Sequence, residues 1–375
     1  MLNCKDFHDT LAAHGFDFFA GVPDSLLKDL CAYVTDHTPP ERNIITANEG
    51  SAVALAAGHY LATRRPGVVY LQNSGLGNTV NPLTSLADHS VYGIPMLLVV
   101  GWRGEPGVKD EPQHNKMGSI SREVLDAMGV AWEELPKDPE AARDTIARAA
   151  SRLAEKPAPF ALLVRKETFE KYKLKNVIQS PYTMSREDAI GALIELLRPG
   201  MPIVATTGMP SRELYEHRER RGEPHETDFL TVGSMGHSSQ IALGLALEKP
   251  EKTVYCVDGD GAVLMHMGGL ASIGTSGCKN YKHICLNNGA HDSVGGQPTV
   301  AFAVNLADVA KACGYRQTVV VTSADELRAA WPAFDAADGP CFLEVRVSVG
   351  HRTDLGRPKM SPAELKVAFM DVLGA

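Results

Sequence analysis

Short runs of apolar and β-branched residues recur along the chain, separated by stretches with helical spacing. The runs at Gly67–Gln72, 95–101 and 160–165 are apolar nearly throughout and do not alternate with polar residues. Strands of that kind are buried on both faces, and segments of 10–15 helical residues between them supply the cover. This pattern predicts a parallel sheet with helices on both sides. In the first part of the chain it predicts strands at 16–22, 43–46, 67–72, 95–101 and 160–165. Helices are expected at 25–34, Glu49–Thr63, 75–87 and 141–153.

The pattern pauses at 171–182, which is polar and irregular and contains a proline. Ser185, with Asp188 three residues on, then reads as the start of a new helix. A second series follows, with strands expected at 202–206, 253–257, 283–286, Gln317–Val321 and 341–347. Its helices are expected at Ser238–Glu248, 262–275, 306–314, 324–334 and Pro362–Leu373. The reading is an α/β chain of two doubly wound parallel-sheet domains, 1–170 and 185–375, joined by a linker at 171–184. The halves look alike in pattern, without a convincing sequence repeat.

Composition excludes several alternatives. A chain of 375 residues, 44% apolar and 22% charged, can bury a large core without staples. Its net charge of −8 and the lack of a basic stripe argue against nucleic acid as a partner. No apolar run approaches the roughly 18 residues of a membrane span, and no basic segment followed by an apolar one opens the chain. The seven cysteines include no C-x-x-C pair, and several sit in apolar runs. Buried, reduced thiols are expected, as in a cytoplasmic protein.

The chemistry concentrates at Asp258-Gly259-Asp260-Gly261-Ala262 and at Asn287-Asn288-Gly289-Ala290, each directly after an expected strand. Parallel neighbours place their C-terminal ends on one edge, where ligands bind in such sheets. Asp260 and Asn288, 28 residues apart, would meet there. A carboxylate, an amide oxygen and a nearby main-chain carbonyl suit a hard cation such as Mg²⁺. The glycines let backbone approach phosphates, and a helix starting near Ala262 offers its positive end. Either motif alone would read as a turn. A dinucleotide-like run, Gly75-Leu76-Gly77-Asn78-Thr79-Val80, also follows a strand, but Val80 replaces its third glycine and the match is weak.

Gly-Asp-Gly followed by Asn-Asn at this spacing resembles the signature of the thiamine diphosphate (ThDP) enzymes. The resemblance implies that Asp260, Asn288 and the Ala290 carbonyl hold Mg²⁺, which grips the diphosphate. It implies that Gly259, Gly261 and Ala262 line that group, with Thr207 and Gly208 in a further cofactor loop. Asn48-Glu49-Gly50 resembles the segment whose glutamate faces the pyrimidine N1′, which makes Glu49 the expected catalytic carboxyl. Gly233-Ser234-Met235-Gly236 resembles the segment that bends the cofactor, with Met235 as the wedge and Ser234 beside it. The loop after Gln72-Asn73-Ser74 is expected over the active site. About 20 residues separate the halves, so the central domain of larger relatives is absent.

Other stretches resemble the phosphonopyruvate and sulfopyruvate decarboxylases. They are Gly21-Val22-Pro23-Asp24-Ser25, 101–107, 110–114, 286–291 and 354–358. The implied substrate is a small 2-keto acid bearing a phosphonate, with its sulfonate analogue as the alternative. Asp24 and Ser25 are the expected polar active-site residues. Arg103, Lys109, His114, Arg352 and Arg357 are the candidate anion-binding residues, since an acidic protein must hold a dianion with local cations. His89 and His291 are weaker proton-shuttle candidates. The resemblance also implies a homo-oligomer with the active site at a subunit interface. An acetolactate or benzoylformate type is a further enzyme reading. A non-catalytic ThDP-binding sensor is the reading from another class, and the presence of Glu49 argues against it.

Overall fold

Residues 1–374 are described in a computed structural model. The chain forms two compact units: Met1–Val177 with Val294–Gln297, and Ile178–Ser293 with the chain from Pro298 on. The change of unit at 177/178 falls inside the irregular stretch at 171–184. The short Val294–Gln297 segment, which the sequence pattern assigned to the second half, groups with the first unit.

The first unit holds a six-stranded sheet of β1 (Phe19–Gly21), β2 (Asn43–Ile45), β3 (Gly67–Gln72), β4 (Met96–Gly101), β5 (Ala131–Glu134) and β6 (Pro159–Val164). Its order is β2-β1-β3-β4-β6-β5, with every pairing parallel. The second unit holds β7 (Ile203–Ala205), β8 (Asp228–Leu230), β9 (Val254–Gly259), β10 (Tyr281–Asn287), β11 (Gln317–Val321) and β12 (Cys341–Arg346). Their order is β8-β7-β9-β10-β12-β11, again all parallel. The two units therefore share one strand order, although their sequences do not visibly repeat. In both, the order reverses beside the first strand, the kind of switch point where ligands bind at the strands' C-terminal ends.

Each sheet buries a core on both faces. In β4, Leu97 and Val99 pack to one side with Leu162 and Val164, while Leu98 and Val100 pack to the other with Ala161 and Leu163. Strict alternation between two apolar layers is why these strands read as continuous apolar runs. Six of the seven cysteines are buried, Cys313 partly so, and all are free thiols. Among the described residues, no helix is long and apolar enough to cross a membrane.

Several elements differ from the sequence expectation. The first strand covers only Phe19–Gly21, and the helix after it starts at Lys28 and runs to His37. The helix expected at 75–87 is a shorter helix, Leu76–Pro82, continued by a wider turn at Leu83–Ala87. That expected at 262–275 starts earlier, at Asp260, and breaks after Met265 into a second helix, Gly269–Thr275. Helices Cys4–Ala13, Pro112–Ala127 and Met209–Arg221 and strands β5 and β8 were not foreseen. β5 and β8 are edge strands, and an edge needs no unbroken apolar run. Met209–Arg221 is dominated by charged residues. It buries Leu214 and Tyr215 and spends Arg218 on a salt bridge to the fully buried Asp228 at 3.0 Å. Ser185 does cap its helix, accepting the Asp188 N–H at 3.0 Å.

Candidate active site

In the first unit, the loops leaving β1 to β4 carry the candidate groups. After β2, Asn48 caps the helix Glu49–Thr63 by accepting the Gly50 N–H at 2.7 Å, which makes Glu49 the first helical residue. Glu49 is 5% exposed. Burial pushes its carboxyl above the ordinary glutamate value, and an Asn78 amide donating to Oε2 at 2.7 Å only partly offsets this. The loop after β3 closes over the carboxyl: a Cβ at Gly75 would run directly into it. The glycine-rich run that looked like a weak dinucleotide fingerprint thus has a different purpose. Gly75 gives the Glu49 carboxyl its room, and Asn78 gives it its hydrogen bond.

Asp24 and Ser25 follow β1. Asp24 is fully buried, and burial raises its pKa against the opposing effect of a Gln72 amide at 2.5 Å and the Leu26 N–H at 2.9 Å. Arg103 follows β4. Its backbone is pinned by Asn73, which donates to the Arg103 carbonyl at 2.8 Å and accepts its N–H at 3.1 Å. The guanidinium donates to Ser25 Oγ at 2.5 Å and grips both oxygens of Asp110. Burial alone would raise Asp110. The guanidinium and the N–H groups of Glu111 and Gly104 outweigh it and hold the carboxyl well below the usual carboxylate range. Asp24, Ser25, Gln72 and Arg103 therefore form one connected polar group at the strand ends. His114 is partly buried in the helix Pro112–Ala127, and burial, with Arg103 nearby, lowers its pKa. Lys109 is exposed.

In the second unit, Asp260 follows β9 and Asn288 follows β10. The Asn288 backbone is near enough to the Asp260 carboxyl to favour its ionised form, so the two halves of the motif do meet. Asp260 is 3% exposed and accepts the Thr299 hydroxyl at 2.5 Å. Burial raises its pKa to about 6, since its hydrogen-bonding partners are neutral. A Cβ on Gly261 would meet the His291 ring at 3.2 Å and Met235 Cε at 3.3 Å, so the wedge candidate lies against the Gly-Asp-Gly turn. Ser234, before it, is exposed with φ +55°. Thr207 and Gly208 follow β7 and open the helix Met209–Arg221 with its free N–H groups toward the same edge. The Ala290 N–H donates to Asn288 Oδ1 at 3.1 Å.

A buried carboxyl with neutral partners, an amide oxygen and a main-chain carbonyl would make an all-oxygen set, whose chemistry suits Mg²⁺ and not a thiolate-seeking metal. The buried, protonation-prone Glu49 fits the pyrimidine-facing carboxyl that ThDP requires.

Not every candidate is equally placed. Arg352 is held by Glu187, Glu216 and Asp354 together. Arg357 is exposed. His89 is exposed, with Nδ1 against the Pro157 carbonyl at 3.2 Å. Burial lowers the His291 pKa to about 4, so it is a neutral imidazole at pH 7. Sequence reasoning gave no role to Asn78, Thr299, Asp110 or Asp292, although Asn78 lay in the glycine-rich run and Asp110 in the resembling stretch 110–114.

Residues 5–126 match the family described as "Thiamine pyrophosphate enzyme, N-terminal TPP binding domain", and residues 206–345 match its "C-terminal TPP binding domain". The chain is 37% identical to the phosphonopyruvate decarboxylase of Streptomyces viridochromogenes, over 98% of this chain and 94% of that one. It is 36% identical to the phosphonopyruvate decarboxylase of Streptomyces hygroscopicus, over 99% and 94%. A sulfopyruvate decarboxylase of Methanosarcina acetivorans is 32% identical, over 96% and 94%. With a buried glutamate at one set of strand ends and an Asp-Asn oxygen site at the other, the chain belongs to the thiamine pyrophosphate enzymes, as a ThDP-dependent decarboxylase.

Proposed function

We propose that the chain decarboxylates 3-phosphonopyruvate to phosphonoacetaldehyde and CO₂, as a cytoplasmic step of phosphonate natural-product synthesis. The observation that carries this is its full-length likeness, at 36–37% identity, to two enzymes of that name. Asp260, Asn288 and the Ala290 carbonyl would hold Mg²⁺, with Thr207, Gly208, Ser234, Gly259, Gly261 and Ala262 around the diphosphate. Bound ThDP would supply the electron sink that decarboxylation of a 2-keto acid needs. Glu49, whose carboxyl burial makes easier to protonate, would share a proton with the pyrimidine N1′. Asp24 and Ser25 present polar groups to the substrate's reacting end.

Arg103 is the first choice for the phosphonate. It is fork-shaped, partly buried and joined to Ser25. Lys109, His114, Arg352 and Arg357 are further candidates, Arg352 with the most prior engagement. Arg103→Ala is expected to raise KM for phosphonopyruvate about 10–100-fold, the worth of a charge-assisted hydrogen bond, and to leave KM for pyruvate within about threefold. Steady-state kinetics on both substrates checks this; equal losses would remove Arg103 from phosphonate recognition.

CO₂ release from phosphonopyruvate, sulfopyruvate and pyruvate tests the substrate. The expected order of kcat/KM is phosphonopyruvate, sulfopyruvate, pyruvate, because a phosphonate carries more charge for a cationic site. Sulfopyruvate in first place would favour the second reading, which the 32% full-length likeness to a sulfopyruvate decarboxylase supports. Glu49 and Asp260 lie in different units. We further propose a homo-oligomer in which one cofactor draws Glu49 from one chain and Asp260 from another. Mixing inactive Glu49→Gln with inactive Asp260→Ala chains is then expected to restore up to about a quarter of the activity, the random-pairing share for a dimer. A fully active monomer in light scattering would refute it.

A further inference from the structure

We propose that Arg186 and Asp292 are positioning residues for the cation site: they fix the side-chain amide of Asn288 and so set how tightly a divalent cation is held. The inference rests on the reading of Asp260 and Asn288 as metal ligands. Arg186 opens the helix Arg186–Leu196, Glu213 lies in the helix Met209–Arg221, and Asp292 lies four residues beyond Asn288. Their side chains are only 5%, 2% and 6% exposed. Arg186 donates to both Glu213 oxygens at 2.8 and 2.9 Å, and through Nη1 to Asp292 Oδ2 at 2.9 Å. The same Asp292 oxygen accepts the Asn288 Nδ2 at 2.7 Å. The Gly350 N–H, on the segment after β12, approaches both Asp292 oxygens at 3.2–3.3 Å.

Two consequences follow from this chain of contacts. An ionised carboxylate only accepts hydrogen bonds, so the face of Asn288 toward Asp292 must be its NH₂. Oδ1 is thereby turned the other way, toward the Ala290 N–H, on the residue whose carbonyl is the third proposed ligand. The amide is thus held with one lone pair of its oxygen taken by the Ala290 N–H and the other left for a cation, and it cannot flip without setting two acceptors against each other. Second, one guanidinium and two carboxylates leave a net charge of −1 in nearly dry surroundings. A cation bound at Asn288 would be attracted by that excess. Partners of this kind outside the ligand set typically change metal affinity 10–100-fold when removed.

The test measures Mn²⁺ affinity by the electron paramagnetic resonance of free Mn²⁺, on the full chain saturated with ThDP. Asp292→Ala is expected to weaken Mn²⁺ binding about 10–100-fold, and Asp292→Asn, which keeps an oxygen acceptor and loses the charge, at least about threefold. Arg186→Met frees Asp292 but also removes a positive charge, so its two effects oppose and it should weaken Mn²⁺ binding less than Asp292→Ala. A purely structural role would lower the melting temperature and leave the affinity of the folded protein within twofold of wild type, and that result would overturn the proposal. If Asp292→Ala does not fold, Asp292→Asn decides by the same criterion. Asp260→Asn separates the two readings. Unchanged Mn²⁺ affinity in that variant would overturn the metal assignment itself, whereas weakened affinity there with wild-type affinity in both Asp292 variants would overturn only the relay.

Discussion

Glu49→Gln is expected to lower kcat by about 10²–10⁴-fold, the usual contribution of a positioned acid–base group, while ThDP and metal affinity stay within a few-fold of wild type. Glutamine matches the shape of glutamate and can still meet the Asn78 amide with its oxygen, so the closed loop at Gly75–Asn78 should persist. What it cannot do is exchange a proton with the pyrimidine. Hydrogen–deuterium exchange at C2 of bound ThDP is the direct measurement, and exchange at the wild-type rate would show that another group performs the step.

The same variant carries a pH signature. The folded-state pKa of Glu49 is raised by burial, so the protonated form is the one the fold favours. Its stabilising contribution is fully present below the ordinary glutamate range and is lost as pH rises through the raised folded value. Glu49→Gln in the cofactor-free protein should therefore melt at an equal or higher temperature than wild type at pH 8, with the difference shrinking toward pH 4. The opposite trend would mean that the carboxylate, not the acid, is the form held in the fold. A stability gain together with a large activity loss is the mark of a group kept for chemistry.

Asp260→Ala is expected to weaken metal-dependent ThDP binding on the order of a hundredfold or more, since it removes a proposed ligand and not merely a ligand's support. The carboxyl sits among neutral hydrogen-bond partners, and without a cation its buried charge is uncompensated. Calorimetric titration of ThDP with and without Mg²⁺ separates the two contributions. The variant should lose the Mg²⁺-dependent part and keep the weak metal-independent part. Undiminished affinity in the presence of Mg²⁺ would remove Asp260 from the metal site.

Local pattern alone determined a good part of this protein. Doubly buried strands such as β4 and β9 are apolar runs whatever surrounds them, so the two parallel sheets were legible. The same pattern set Asp260 and Asn288 after neighbouring strands, whereas Asp24, Glu49 and Arg103 were picked out only through the family resemblance. Short edge strands and polar helices were not legible, because β5 and Met209–Arg221 satisfy a one-sided environment with few apolar residues. The tertiary structure alone decided which neutral and charged neighbours meet those groups. Asn78 reaches Glu49 across 29 residues, Thr299 reaches Asp260 across 39, and Arg186 reaches Asp292 across 106. It also showed Arg352 paired with three carboxylates, where the sequence reading offered it for an anionic substrate. A hydrogen bond between groups this far apart leaves no periodicity or spacing in one sequence. It exists only because loops from different strands end at the same edge of a sheet, and that edge forms only when the sheet does.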